Sequence, residues 1–292
     1  MLPDVSVVMG VYNGSNELPS TIRSLQAQSL VNFELIIVDD GSTDDSASVA
    51  KSFAATDHRI RLITQDNQGL TAALNNGCRS ARARVIARQD VGDVSLPERL
   101  SRQFEYLTQH LDVVAISCGA NRLGPEHEFL GEERPKSTAK EVTADLLERG
   151  TGLLHAASMF RKEPFEASGC YRKQFRFAQD TDLWYRLSEC GLLSNTKEVL
   201  FEYCIDISGI SPQNRARQRR LGQLARECFL LRQSGKPDTA LLEEANRVSW
   251  DSSNLTTGNP KQGQGAAAYF VGSQLYQQRD QRCRRYLKMA LA

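Results

Sequence analysis

The sequence predicts an α/β fold in which a doubly wound, mostly parallel central sheet is joined to a helical C-terminal appendage. Two patterns predict the sheet. Short apolar runs alternate with helix-forming stretches between residues 5 and 87, in the order β-α-β-α-β-α-β, which implies parallel strands joined by right-handed crossovers. The run from Leu35 to Val38 is apolar at every position, as expected for a strand that is covered on both faces.

Each element of this pattern has its own signal. The strands are the apolar runs, and the helices follow turns rich in glycine, asparagine and serine. The turn at Gly41 would lead into a helix capped by Ser42 or Thr43. We predict strands at Val5–Tyr12, Leu35–Val38, Ile60–Thr64 and Val85–Ala87, and helices at about Ser15–Gln28, Thr43–Ala55 and Gly69–Ala81.

The charge of the chain is distributed unevenly. Of the 292 residues, the first 212 contain 22 basic and 29 acidic side chains, and the rest contain 14 basic and six acidic ones. This change predicts a boundary near Pro212, with one domain at residues 1–211 and a helical extension at residues 212–292. The hydrophobic share of 40% and the charged share of 24% are ordinary for a globular protein.

Cysteine usage and hydropathy indicate in which cellular compartment the protein is expected. The seven cysteines include no Cys-x-x-Cys pair, which predicts neither a disulfide framework nor a zinc site. No apolar run approaches the roughly 18 residues of a membrane span, and no signal peptide is recognisable. We therefore expect a cytoplasmic protein.

Polar residues collect after all four predicted strands. Because the carboxyl ends of parallel strands meet at one edge of an open α/β sheet, where ligands bind, they predict a binding site. The Asp39-Asp40 pair has a second interpretation, as part of an ordinary turn from a strand to a capped helix. The residues are Tyr12, Asn13, Asp39, Asp40, Asn67, Gly69, Arg88, Asp90 and Asp93.

Two common nucleotide-binding motifs are missing. The stretch GVYNGSNE after the first strand lacks the G-x-G-x-x-G pattern of dinucleotide oxidoreductases, and the chain contains no G-x-x-x-x-G-K-[ST] loop. An acidic site suggests instead a nucleotide whose phosphates are screened by a divalent cation, with a carboxylate that binds the base or the ribose.

Five segments occur at a characteristic spacing: PDVSVVMGVYN, FELIIVDDGSTDDS, DNQGLTAALNNG, ARVIARQDVGDVSLPERLSRQ and FAQDTDLWYRL. In this order they resemble the inverting family-2 glycosyltransferases of the GT-A fold, over residues 3–211. The resemblance implies transfer of a sugar from a nucleotide-diphosphosugar to an acceptor hydroxyl, in surface polysaccharide or glycolipid biosynthesis. The acceptor would be a glycan or a lipid-linked molecule.

The resemblance also implies roles for individual residues. Asp180 would be the general base, because a carboxylate opposite the leaving group can take the proton of the attacking hydroxyl. A divalent cation, Mn²⁺ or Mg²⁺, would be bound by Asp93 with Asp90. The donor would be bound by Tyr12, Asn13, Asp39, Asp40, Asn67, Gly69, Arg88 and Asp90.

Two positions depart from the family pattern, and both bear on the metal. The family usually has Asp-x-Asp-Asp after the fourth strand, whereas Gly92 stands here at the third of these four positions. Asp206 stands where relatives place a histidine, and it could join Asp90 or Asp93 as an oxygen ligand. These changes leave an alternative open, a catalytically impaired relative that binds nucleotide sugars or has a regulatory role.

Two residues of the second half have structural interpretations beside the functional ones. Asp180, like Asp182, would favour the positive end of a helix that begins at about residue 180. His155 precedes an apolar strand, and we expect it to be a packed or hydrogen-bonded histidine rather than a catalyst.

For the C-terminal extension, the sequence predicts four helices: one from Arg215, one at Asp238–Trp250 and two that flank Gln277. It also predicts a loop at Asp251–Gln264. The basic side chains would be solvated charges on a helical cap. Alternatively, they would contact anionic lipid and bring the protein to the inner face of the cell membrane. Nucleic acid is not an expected partner, because the basic residues are not interleaved with aromatic ones.

Overall fold

The structure is a computed structural model, and it describes residues 2–135, 138–207, 214–250 and 260–291, without the side chains of residues 260–262. The boundary predicted near Pro212 lies outside the described residues, as do residues 251–259 of the predicted loop. The division of the chain between residues 211 and 212 therefore stays a prediction. Two compact units are present, one formed by residues 1–120, 134–173 and 179–202, the other by residues 121–133, 174–178 and 203–292.

Four parallel strands form the part of the sheet that the sequence predicts. They are β1 (Val5–Val11), β2 (Phe33–Asp40), β3 (Ile60–Gln65) and β4 (Val85–Arg88), in the order β3-β2-β1-β4. Every residue of β2 is buried, as its apolar run predicts. The register sets Val11 opposite Asp39 and Val8 opposite Arg88, so the polar residues that end these strands meet at one edge.

Three helices connect these strands: α1 (Leu18–Gln26), α2 (Ser46–Thr56) and α3 (Leu70–Ser80). The apolar side of α1 is fully buried in the core with the side chains of β1 and β2. α3 lies closest to the sheet at Gly77, where a Cβ would be 2.5 Å from Cγ1 of Val8. Only glycine allows that approach.

The prediction that Ser42 or Thr43 caps α2 is wrong. The helix begins at Ser46 and is preceded by Asp45, because the two predicted caps bond to the turn after β1 instead. The backbone N–H of Asn13 donates to Ser42 Oγ (3.0 Å), and the backbone N–H of Thr43 donates to Asn13 Oδ1 (2.8 Å). These bonds join the turns that follow β1 and β2.

Beyond β4 the sheet continues with the apolar strand expected after His155 and with others that the sequence analysis did not predict. β8 (Met159–Arg161) pairs antiparallel with β4 and with β6 (Val113–Leu123). β9 (Leu192–Cys204) stands beside β6 and pairs antiparallel with β5 (Val94–Ser95), and β7 (Phe129–Glu133) pairs with β6. The nine described strands form a mixed sheet, and the predicted α/β fold with its doubly wound parallel part is confirmed.

Four helices belong to the later part of the first unit: α4 (Arg99–Gln109), α5 (Ala139–Arg149), α6 (Lys162–Ala167) and α7 (Gln179–Leu187). α7 confirms the helix predicted near residue 180. It presents Asp180 and Asp182 in its first turn.

The second unit contains the four predicted C-terminal helices, α8 (Arg215–Gln233), α9 (Thr239–Trp250), α10 (Pro260–Gln277) and α11 (Cys283–Leu291). The predicted loop is wrong from residue 260 onward, because Pro260 starts a helix and proline is favoured at a first helical position. α10 packs closely on α11 at Gly272, where a Cβ would be 2.9 Å from Leu287. Among the described residues, no helix has the length and apolar composition needed to cross a bilayer.

Candidate functional site

The two adjacent aspartates at the end of β2 have different surroundings. Asp40 accepts hydrogen bonds from Gln65 Nε2 (2.7 Å) and from the backbone N–H groups of Gln68 (2.9 Å) and Gly69 (2.7 Å). Both of its oxygens are thus engaged in holding the loop after β3. Asp39 is only 5% exposed, yet its Oδ1 has no hydrogen-bond partner among the described residues. A buried carboxylate oxygen without a donor is costly, and a hydrogen-bond donor on a ligand would satisfy Asp39 Oδ1.

The residues after β1 and β3 add exposed groups at the same edge of the sheet. Tyr12 is 54% exposed at the end of β1, and Asn13 adopts φ +54° in the turn that follows. The exposed Asn67 and the turn residue Gly69 precede α3. Gly69 has φ +86°, and no described heavy atom lies within 4 Å of the place that a Cβ would take. The positive end of α3 therefore opens onto the same edge.

The segment after β4 carries a buried cation. Arg88 is 2% exposed and pairs with the half-exposed Asp90, while its Nε has no hydrogen-bond partner among the described residues. Burial works against the charge of Arg88, but the Asp90 carboxylate, together with Tyr171 and Asp93, more than compensates and raises the pKa of the guanidinium. Arg88 thus stays charged with one N–H donor unused.

Hydrogen bonds to α1 fix the turn that follows Arg88. Gly92 has φ +92°, and its backbone N–H donates to Thr21 Oγ1 (3.0 Å). Thr21 Oγ1 in turn donates to the backbone carbonyl of Asp93 (3.1 Å). Asp93 is buried, so the turn presents the half-exposed Asp90 and holds Asp93 against the protein.

Asp180, the predicted base, lies partly buried at the start of α7. Its carboxylate accepts a hydrogen bond from the backbone N–H of Thr181 (2.8 Å). Burial raises the pKa of Asp180, against the opposing effects of that N–H and of the positive charge of Arg88. The neighbouring Asp182 is different, since it is 1% exposed and ion-paired with Arg172 and Arg186. Asp182 has the structural role, whereas Asp180 has no ion-pair partner in the part of the chain that the structure describes.

The first unit also brings His155 and Tyr171 together. His155 Nε2 lies 2.8 Å from the Tyr171 hydroxyl, and the imidazole meets Trp184 edge-on at 6.0 Å between ring centroids. Burial, with the positive charge of Arg88, holds the pKa of His155 well below its usual value, so the ring is neutral at pH 7. His155 is therefore hydrogen-bonded and packed, as expected. Tyr171 is a residue that the sequence analysis missed.

A metal site of the expected kind does not fit the residues after β4. No group of three or more histidine, cysteine or acidic side chains that could hold a metal ion occurs in the described part of the chain. Gly92 supplies no side chain, and Asp90 is paired with Arg88. Asp206 belongs to the second unit, and its role as a metal ligand stays a prediction.

Comparison with known proteins gives a family and a fold. The model of "Glycosyl transferase family 2" matches residues 6–169. The putative glycosyltransferase EpsE of Bacillus subtilis is 35% identical over 205 residues, which cover 68% of this chain and 72% of EpsE. The O-antigen biosynthesis glycosyltransferase WbnJ of Escherichia coli is 30% identical over 209 residues, which cover 70% of this chain and 81% of WbnJ.

Among solved structures, the mannosyltransferase PcManGT from Pyrobaculum calidifontis, in complex with GDP-Man and Mn²⁺, is similar with a TM-score of 0.59. The sequences are 16% identical, and the match covers 100% of this chain and 85% of that one. At this level of identity the likeness concerns the fold.

Proposed function

The chain belongs to glycosyl transferase family 2, and from that premise we propose that it transfers a sugar from a nucleotide-diphosphosugar to an acceptor hydroxyl with inversion of the anomeric centre. The observation that carries the proposal is the state of Asp180. Its carboxylate is partly buried, has no ion-pair partner among the described residues and lies within electrostatic range of Arg88. In this proposal, the carboxylate that acts as general base lies within electrostatic range of a buried cation.

In the proposed reaction, each of three groups has a separate task. Asp39 accepts hydrogen bonds from the base or ribose of the donor through its unpaired oxygen. Arg88 faces the diphosphate, which gains negative charge as the glycosidic bond breaks. Asp180 takes the proton of the attacking hydroxyl, and a raised pKa makes it a stronger base than an ordinary aspartate.

The stereochemical course follows from a single displacement. One carboxylate acts as base on the face opposite the leaving group, so the acceptor oxygen replaces the diphosphate with inversion and no covalent sugar intermediate forms. A product with the anomeric configuration of the donor would contradict this course.

Surface polysaccharide or glycolipid synthesis is the proposed setting, with a glycan or lipid-linked acceptor. The relative WbnJ is an O-antigen biosynthesis glycosyltransferase by name. The sugar and the linkage are open, because family membership does not define the pockets that select them.

The test measures the release of nucleoside diphosphate from a panel of UDP-, GDP- and dTDP-sugars in the presence of an acceptor extract. The Asp180→Asn variant is the comparison. Release that depends on the acceptor and on Asp180 supports the transferase. Binding of donor with no release under any acceptor would support the alternative, a catalytically impaired nucleotide-sugar-binding relative.

Contact with a membrane surface is a second proposal, for the C-terminal helices. Tyr269 and Tyr276 of α10 are 62% and 70% exposed, two helical turns apart and so on one side. Tyrosine is enriched at membrane interfaces, and the exposed Arg279 and Arg284 suit anionic headgroups. Co-sedimentation with phosphatidylglycerol vesicles, but not with phosphatidylcholine vesicles, is expected. Unchanged sedimentation of the Tyr269→Ser, Tyr276→Ser double variant would contradict the assignment.

A further inference from the structure

We propose that this chain binds the donor diphosphate with the positive charge of two buried arginines, Arg88 and Arg99, and does not require a divalent cation to do so. The inference rests on the proposed function, since it concerns the donor of that reaction. The starting observation is that the side chains after β4 do not supply the ligands of the metal site that the family implies.

The charges of this segment balance without a metal. Arg88 pairs with Asp90, and Asp93 attracts both Arg88 and Arg99. Two carboxylates and two guanidinium groups therefore attract one another in this segment. A third carboxylate at position 92 would give the segment a negative surplus that could hold a cation, and Gly92 removes it. Without a cation, the negative charge of a bound diphosphate would be stabilised by the two arginines.

Arg88 has an unused donor for such an anion. Its guanidinium is 2% exposed, and its Nε has no hydrogen-bond partner among the described residues. A buried N–H without an acceptor is costly, and a phosphate oxygen is a strong acceptor for guanidinium. A bound phosphate would satisfy this donor.

Arg99 is the less expected member of the pair. It is fully buried at the start of α4 and is ion-paired with no carboxylate among the described residues. Burial lowers its pKa to about 10. A buried charge without a direct ion pair destabilises a fold unless neutral acceptors surround it, so its presence at this place calls for a role.

Neutral acceptors do surround Arg99. Nη1 donates to Gln89 Oε1 (2.9 Å) and Ser95 Oγ (2.8 Å). Nη2 donates to the backbone carbonyl of Arg88 (2.6 Å), and Nε donates to Gln103 Oε1 (3.2 Å). One side chain therefore fixes the backbone of Arg88 and the residues on both sides of the turn.

Gln89 connects Arg99 to the turn that contains Asp90 and Asp93. Its Nε2 donates to the backbone carbonyls of Asp90 (3.1 Å) and Asp93 (3.0 Å). Arg99 is thus a positioning residue for the whole segment from Arg88 to Asp93. Its charge also acts in a buried, low-dielectric place, where it attracts an anion more strongly than a surface charge would.

The geometry of Gly92 supplies a gain-of-function test. A Cβ at residue 92 would meet Glu17 at 3.8 Å, which is ordinary contact, but φ +92° is a strained conformation for any residue with a side chain. Gly92→Asn carries the same strain without the charge. It is therefore the matched control for Gly92→Asp, which restores the missing carboxylate.

The first measurement is calorimetric binding of UDP, GDP, CDP and dTDP to the full chain, in excess EDTA and in Mn²⁺. For the tightest of the four, we expect the affinity in EDTA to stay within about threefold of that in Mn²⁺, a difference below about 0.7 kcal/mol. A larger loss in EDTA overturns the proposal, as does absence of binding by all four. We expect Mn²⁺ to strengthen binding by Gly92→Asp and not by Gly92→Asn, and equal Mn²⁺ responses of the two variants would count against the proposal.

The second measurement separates the role of Arg99 from mere stability. Arg99→Met should reduce the preference for nucleoside diphosphate over monophosphate by about tenfold. Arg161→Met is the control, because Arg161 donates to the backbone carbonyls of Leu107, His110 and Val113 but lies opposite Val85, at the far end of β4. Equal loss of preference in both variants would show a structural effect only. If Arg99→Met does not fold, Arg99→Lys replaces it, with part of the preference retained.

These outcomes are distinct from failure of the proposed function. Diphosphate binding in EDTA without any sugar transfer would keep the arginine site and contradict the transferase. Transfer that proceeds with Mn²⁺, together with lost diphosphate binding in EDTA, would keep the transferase and contradict the arginine site.

Discussion

Nε2 of His155 lies 2.8 Å from the hydroxyl oxygen of Tyr171, and this bond joins two parts of the first unit. The backbone of Tyr171 is itself held by Asn75 of α3, which accepts from its N–H (3.0 Å) and donates to its carbonyl (2.8 Å). α3 begins at Leu70, beside the loop that contains Asn67 and Gly69. The loop that contains Asn67 and Gly69 is thereby linked, through α3, to the segment around Tyr171.

Tyr171→Phe tests that link. The variant keeps the ring and removes the hydroxyl, so it leaves a partly buried ring nitrogen of His155 without its partner. We expect the free energy of unfolding to fall by about 1–3 kcal/mol, measured by urea denaturation. Tyr276→Phe, at an exposed tyrosine, is the control, and an equally small loss in both would contradict the assignment.

Asp180→Asn should remove the base and keep the shape of the site. We expect turnover to fall by about 10²- to 10⁴-fold with donor affinity nearly unchanged, measured by nucleoside diphosphate release and calorimetry. Asp182→Asn is a contrasting variant, because it breaks the ion pairs with Arg172 and Arg186 and should lower stability. Near-full activity of Asp180→Asn would exclude it as the base.

The pH dependence of turnover should report the same carboxyl group. Asp180 must be ionised to accept a proton, and burial raises its pKa above the ordinary 3.8. We therefore expect turnover to rise with pH, with its midpoint above pH 3.8. In Asp180→Asn, this rise should be absent. A half-maximal rate at or below pH 3.8 would contradict the assignment.

The stability consequence of that raised pKa has the opposite sign from that of a salt-bridged aspartate. The unfolded chain ionises Asp180 more readily than the folded one, so the folded state loses stability as pH rises from about 3.8 through the folded pKa. At pH 7, Asp180→Asn should be at least as stable as the parent chain. Urea denaturation at pH 4 and pH 7 checks both the sign and the window.

Asp39→Asn should weaken donor binding without affecting the chemical step. Its unpaired buried oxygen is placed to accept a charge-assisted hydrogen bond, and its loss should cost about 1.5–3 kcal/mol of nucleotide affinity. Asp4→Asn, just before the start of β1, is the control. Equal donor affinity in the two variants would remove Asp39 from the site.

The sequence predicts the parallel half of the sheet well, because buried parallel strands are continuous apolar runs such as Leu35–Val38. It does not predict a strand as short as β5, which has two residues and is defined by pairing with a distant segment. Short runs carry too little pattern to be recognised alone.

The candidate site shows the same limit. Asp39 and Asp40 look equivalent in the sequence, but successive strand residues point to opposite faces. One therefore keeps an unpaired oxygen while the other holds the loop at Gly69. The burial of Arg99 was also not predicted, because an arginine near the start of an amphipathic helix is expected to be solvated. Its burial depends on partners from β4 and the turn that follows.

The last prediction concerns Asp206, the candidate replacement for the missing metal ligand. The charge balance among Arg88, Arg99, Asp90 and Asp93 leaves no surplus to attract a cation, so we expect Asp206→Ala to leave Mn²⁺ affinity of the nucleotide-bound protein unchanged. Titration of Mn²⁺ into the UDP- or GDP-bound chain before and after the substitution measures this. A loss of about tenfold or more in Mn²⁺ affinity would instead make Asp206 an oxygen ligand, and it would place the positive charge at the diphosphate on a metal rather than on the two arginines.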